Sequence, residues 1–115
     1  MIRKKEDQAI EFRCIRGGKG ETEQRKIAES VEELYGKGRL FNYMIIQPGN
    51  SIGQHTHEGD NEIFYFIKGT GEYNDNGTIV EVGPGDSTFC SDGQFHSLKN
   101  TGDVPLEFIA LILYS

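Results

Sequence analysis

His55 and His57 form an H-x-H pair, Glu62 follows shortly after them, and His96, the only other histidine, lies in a separate apolar segment. In a β-strand, residues i and i+2 project from the same face, so His55 and His57 can reach one point together. Three imidazoles and one carboxylate make a donor set for a first-row transition metal. On a six-coordinate ion these four ligands leave two adjacent positions for a substrate or water. A bidentate carboxylate, a hydroxy acid or dioxygen could bind there, with the metal as Lewis acid and template. One divalent metal is therefore expected, from manganese, iron, zinc or nickel. The carboxylate makes manganese or iron the more comfortable choice. An isolated H-x-H is weak evidence, since most histidines are hydrogen-bonded polar residues with no metal. The reading rests on the complete set.

These ligands need strands to carry them. Fifteen glycines punctuate short apolar runs, and strands are expected at Leu40–Gln47, Ile63–Lys68, Gly71–Tyr73, Thr78–Val82, Asp86–Phe89, His96–Lys99 and Leu106–Tyr114. Closely spaced short strands with turn signals between them indicate an all-β sandwich or barrel. Asn76-Gly77 tolerates the positive φ of a type I′ turn, so Asn74–Gly77 is read as a hairpin. Gly83–Asp86 and Thr101–Asp103 are read as further tight turns. One short helix is expected near the N-terminus, with Ser30 as N-cap, Glu33 completing the capping box, and Gly36 as the terminating glycine. Val31, Leu34 and Tyr35 would share its face. Arg25–Ala28 reads equally well as an edge strand, and residues 1–9 as frayed or added to a partner's sheet.

Length and composition narrow the function. A chain of 115 residues is expected to be one domain, here a barrel over about 38–115 with an N-terminal arm, 1–37. The net charge of -6 argues against nucleic acid as a partner. No apolar run approaches a membrane span, and no secretory signal is visible. Cys14 and Cys90 are too few for a disulfide framework, which suits a cytoplasmic protein with reduced thiols. Cys90 is read as a small buried hydrophobe. In the strands around Phe41–Ile46 and Ile63–Ile67 both faces are apolar, which calls for a second sheet layer or a partner subunit, and a homodimer is expected. Gly17–Gly20 lacks the Gly-Lys-Ser/Thr ending of a phosphate loop and is read as a flexible surface loop.

The stretch GNSIGQHTHEGDNEIFYFIKG, residues 49–69, closely resembles the first motif of the cupin superfamily, with Gly49, His55, His57, Glu62 and Gly69 in the motif positions. GDSTFCSDGQFHSLKN, residues 85–100, resembles the second motif through Gly85, Gly93, His96 and Asn100. Ser91 stands where the family usually has proline, a change that would loosen the turn before the last ligand. The resemblance implies an antiparallel jelly-roll-like β-barrel with a metal bound inside it by His55, His57, Glu62 and His96. Some cupins have lost the metal, usually together with one or more ligands, whereas here the set is complete. Among cupins the chain looks most like small single-domain prokaryotic proteins with a manganese-type site, some likened to oxalate decarboxylases. The resemblance thus implies a small carboxylated or polar ligand, turned over by decarboxylation, dioxygenation or isomerisation, or bound without turnover in a sensing module.

Other residues bear on that choice. Oxalate decarboxylases need a proton-donating carboxylate on a lid, and Glu58, Asp60 and Asp92 lie in loops beside the ligands, although each reads more simply as solvated. Arg39, Asn42, Tyr43 and Gln54 are candidates for orienting a substrate, Arg39 above all because a guanidinium pairs bidentately with a carboxylate. Glu62, Phe64 and Phe66 share one strand face, which would set the carboxylate at the rim of an aromatic-lined pocket. Asn100 lies too far along its strand to reach the metal and is read as ending it.

Overall fold

The computed structural model describes all residues, 1–115. Ten strands dominate: β1 Ile10–Arg13, β2 Thr22–Lys26, β3 Gly38–Ile46, β4 Ser51–Thr56, β5 Asp60–Lys68, β6 Gly71–Asp75, β7 Thr78–Val82, β8 Ser87–Cys90, β9 Phe95–Lys99 and β10 Leu106–Tyr114. Every pairing is antiparallel. A six-stranded sheet runs β1-β2-β3-β10-β5-β8 and a four-stranded sheet β4-β9-β6-β7. This is the expected all-β jelly-roll. Within the arm assigned to residues 1–37, β1 and β2 extend the larger sheet beside β3.

Period-2 alternation explains the layering. On β10, Leu106, Phe108, Ala110 and Ile112 are buried while the residues between them are half-buried. On β5, Glu62, Phe64 and Phe66 face inward and Tyr65 outward. Met44, Ile46, Ile52, Tyr73, Val82 and Leu98 close the core between the sheets. The second apolar parity of β3, β5 and β10 lies on the outer face of the large sheet, only partly covered by its own chain.

The Asn74–Gly77 hairpin has positive φ at both Asn76 (51°) and Gly77 (99°), as a type I′ turn requires. In the Gly83–Asp86 turn, Gly85 takes φ 89°, and the Asp86 carboxylate accepts the Gly83 N–H at 2.8 Å. Asn100 does end its strand, and more firmly than expected. It is 1% exposed, donates through Nδ2 to the Ile46 and Val104 carbonyls (2.8 and 2.9 Å), and accepts the Gly102 N–H (2.9 Å).

Several expectations need correction. The N-terminal helix is only the 3-10 turn Glu32–Leu34. Ser30 Oγ still accepts the Glu33 N–H (3.3 Å), and Gly36 takes φ 69°. Val31 and Tyr35 remain exposed, however, so no amphipathic face exists to lengthen it. Residues 1–9 are not frayed. Arg3 pairs with Glu33 at 2.8 Å, and Ala9 accepts the Lys26 N–H at 2.9 Å. The Gly17–Gly20 loop is pinned rather than loose, since Lys19 exchanges hydrogen bonds of 2.9 Å with Ser51 through its N–H and its carbonyl. Ser91 leaves its turn tight because Gln94 closes it twice at 2.9 Å, through its side-chain carbonyl to Ser91 N–H and its own N–H to Ser91 O.

Candidate metal centre

The histidines arrive from two strands of the smaller sheet and the loop after one of them. His55 on β4 lies directly opposite His96 on β9. The pairing slips between Ile52 and His55, so β4 carries an extra residue at Gly53–Gln54. That bulge reverses the strand's parity. Ile52 and His55, three positions apart, both point inward, and Gln54 is left exposed. His57 lies just beyond β4, where its N–H donates to Gln94 O (2.9 Å) and its carbonyl accepts the Gly93 N–H (2.7 Å). Glu62 enters from β5, across the interior.

The four side chains meet, with ligand atoms all within 4.8 Å of one another. His57 Nε2 is 3.2 Å from Glu62 Oε1 and from His96 Nε2. His96 Nε2 is 3.1 Å from His55 Nε2 and from Glu62 Oε1. The other ring nitrogens identify what these atoms are. His55 Nδ1 donates to the Gly53 carbonyl at 2.8 Å, and a carbonyl can only accept. His57 Nδ1 donates to Asp60 Oδ1 at 2.7 Å. His96 Nδ1 lies 2.7 Å from the Tyr73 hydroxyl, which can accept its proton likewise. Every ring then carries its proton outward, and three Nε2 lone pairs and a carboxylate converge on one point. Such a set fits a divalent cation. At metal–ligand distances of about 2.1 Å, adjacent octahedral corners lie about 3 Å apart, close to the spacings here.

Electrostatics agree with this arrangement. Burial works to raise the pKa of Glu62, but hydrogen bonding to the three histidines overrides it and holds the carboxyl far below its usual range. His57 is pushed up by hydrogen bonding to Glu62, against a lowering by burial and with help from Asp60. Burial lowers His96. Cys90, opposite Glu62 on β8, is pushed up to about 11 by burial and then by the negative charge of Glu62. It stays a neutral thiol outside the cluster, as read from the sequence.

The cluster opens into a cavity of about 340 Å³ lined by His55, His57 and Glu62 at its base, Leu40, Met44, Ile52 and Ile112 on its apolar wall, and Arg13, Arg16 and Arg39. The aromatic residues are not its lining, contrary to expectation. Phe64 stacks on His96 from behind (centroids 5.2 Å apart, 22° between planes), backed by Phe66 and Phe108.

Of the residues considered for orienting a substrate, Arg39 reaches the cavity. Asn42 faces the same way but is bonded to Gln24 at 3.1 Å. Tyr43 lies on the opposite face with its hydroxyl donating to Glu107 at 2.8 Å, and burial pushes its pKa up to about 12. Gln54 points outward to Asn74 at 3.4 Å. Among the loop carboxylates, Glu58 is exposed. Asp92 is tied to the Gly59 N–H and the Ser115 hydroxyl. Asp60 is buried rather than solvated. It is 6% exposed and joins His57 to Arg39, whose Nε donates to Oδ2 at 2.9 Å. Sequence reasoning missed Arg13 and Arg16, because no strong hydrophobic alternation marks β1 or its pairing with β2.

The model of the cupin domain matches residues 42–112, which spans all four clustered residues. The chain belongs to the cupin family. It is 46% identical over 99 residues to an oxalate-binding protein of Thermotoga maritima, covering 86% of this chain and 81% of that one. A crystal structure from Thermotoga maritima, described as a predicted oxalate decarboxylase, superposes over 100% of both chains with a TM-score of 0.94 and 40% identity. KdgF from Halomonas sp., more distant in sequence, shares the fold with a TM-score of 0.71 at 16% identity, over 91% of this chain and 86% of that one.

Asp60 supplies a test of the site's support. Asp60→Asn keeps the shape but removes the charge behind His57, and metal affinity should fall about 10- to 100-fold in a competitive chelator titration. Unchanged affinity would mean that Asp60 does not support His57. Burial pushes Asp60 up, yet the hydrogen bonds from Arg39 and His57 leave its carboxyl below the ordinary value. A depressed folded pKa contributes stability that is full above about pH 4 and is lost as pH falls through the lower folded value. Acid unfolding of metal-free Asp60→Asn should therefore depend less on pH in that window than that of the parent.

Proposed function

We propose that His55, His57, Glu62 and His96 hold one divalent metal, manganese or iron being best suited, and that the protein uses it to bind a small carboxylated ligand of the oxalate class. The observation that carries this reading is the convergence of a metal donor set at the base of an arginine-walled cavity. The name of the 46%-identical relative, an oxalate-binding protein, supports the ligand class. A bound metal would supply Lewis acidity and a chelating template. The chain's own residues do the rest. Arg39 commits its Nε to Asp60, which leaves its terminal nitrogens for a ligand carboxylate. Leu40, Met44, Ile52 and Ile112 limit water at the wall, which strengthens these charged contacts.

Binding is better supported than turnover. The only carboxyl on the cavity wall is Glu62, held ionised, so none there is poised to donate a proton. Turnover as a decarboxylase, dioxygenase or isomerase is the second reading, favoured by the similar structure described as a predicted oxalate decarboxylase. Calorimetric titration of oxalate into manganese-loaded protein should show one site per chain, absent from metal-free protein and from His55→Ala/His57→Ala. Formate and CO₂ should not accumulate; their appearance would favour the enzyme. No binding to the loaded protein would overturn both readings.

The outer face of the large sheet supports a homodimer. Phe41, Ile45, Ile63, Ile67, Ile109 and Leu111 form an apolar surface only half-covered by the chain itself, of the kind that marks an interface. The two free thiols suit a reducing compartment such as the cytoplasm. Sedimentation equilibrium should give twice the chain mass, reduced to one by Ile109→Glu; a monomeric parent would refute the dimer.

A further inference from the structure

We propose that Arg13 and Arg16 form a second anion subsite in the cavity. It would receive the distal carboxylate of a diacid longer than oxalate whose 2-hydroxy or 2-oxo carboxylate head chelates the metal. The inference deepens the carboxylate-binding reading above and rests on it.

Register places Arg13 on the cavity side of the sheet, where its side chain remains exposed. It pairs with Thr22 across β1–β2, and directly opposed residues share a face. Thr22 and Gln24 are buried on the interior side, so Arg13 follows them over the cavity while Phe12 faces away. Arg16 sits two residues beyond Cys14 in the next turn and lines the same space. Its φ of 54° lies in a region that a non-glycine residue seldom occupies and that favours glycine or asparagine.

The turn is fixed to the metal cluster through backbone. Ile15 O accepts both the Gly18 and the Gly53 N–H at 3.0 Å. A Cβ on Gly53 would lie 2.0 Å from Arg16 O, and one on Gly18 2.2 Å from Ser51 O, so only glycines allow this approach. Gly53 is also the residue whose carbonyl holds His55 Nδ1. One residue thus sets the position of both a histidine of the cluster and the arginine turn.

Charge fits the assignment. The molecule carries a net -6, yet the formally charged side chains on the cavity wall are three arginines and Glu62. Arg39 is paired with Asp60, whereas Arg13 and Arg16 make no ion pair within the chain. Oxalate chelating a metal would place one oxygen of each carboxylate on it and has no further group to extend toward the arm. A longer diacid leaves one carboxylate free, and the cavity has volume beyond what a two-carbon ligand needs.

The test uses full-length, manganese-loaded protein and three probes: oxalate, malate, and lactate, which has malate's chelating head without the distal carboxylate. Charge-assisted hydrogen bonds predict that malate binds about 10-fold or more tightly than lactate. In Arg13→Gln/Arg16→Gln, with metal stoichiometry unchanged, that preference should fall below about 3-fold while oxalate affinity stays within about 3-fold of the parent. Equal affinity for malate and lactate in the parent, or oxalate binding with neither of them, overturns the subsite and leaves the carboxylate reading standing. A variant that weakens oxalate as much as malate also overturns it, by showing only a general charge effect. Failure of oxalate itself to bind removes the underlying reading and the subsite with it.

Discussion

Three imidazole lone pairs and a carboxylate oxygen buried within a few ångströms of one another repel unless a cation or protons lie between them. Most of the structure around the site follows from that constraint. Each ring must present Nε2 inward, so each outer nitrogen is given a partner: the Gly53 carbonyl, the Asp60 carboxylate and the Tyr73 hydroxyl. Asp60 is in turn neutralised by Arg39, which stands in the cavity wall. The support behind His57 and the group that faces a ligand are therefore linked through two hydrogen bonds.

The fold supplies the rigidity that this arrangement demands. The clustered residues come from both sheets, so their spacing depends on the packing between the sheets. Phe64, Phe66 and Phe108 fill the interior behind His96 and set how deep the ring can sit. On the far side the bulge at Gly53–Gln54 turns His55 inward and brings the Ile15–Gly18 turn onto the strand. Asn100 ties the end of β9 to β3 and to the following turn, holding the strand that bears His96.

Much of this was legible in the sequence. The H-x-H pair, Glu62 and His96 identify the cluster by residue type, and β7 and β10 run as their apolar patterns indicate. The bulge was not legible: simple alternation makes His55 and His57 share a face, but it also places Gln54 beside Ile52, and only the cross-strand register shows the slip. Asp60 read as a loop carboxylate because nothing local reveals that Arg39, far away in sequence, will neutralise it and permit burial. β1 and β2 are charged edge strands without strong hydrophobic alternation, so neither they nor the cavity-side position of Arg13 emerged from periodicity. The short helical segment stays a single 3-10 turn for a related reason. Its caps are present, but no apolar face packs against the sheets to extend it.

Metal content tests the central claim most directly. Untagged protein, purified without chelators, should carry about one divalent metal per chain by inductively coupled plasma mass spectrometry, and His55→Ala/His57→Ala should carry none while keeping the fold by circular dichroism. A parent that holds no metal, even after anaerobic reconstitution with manganese and iron(II), would contradict the account.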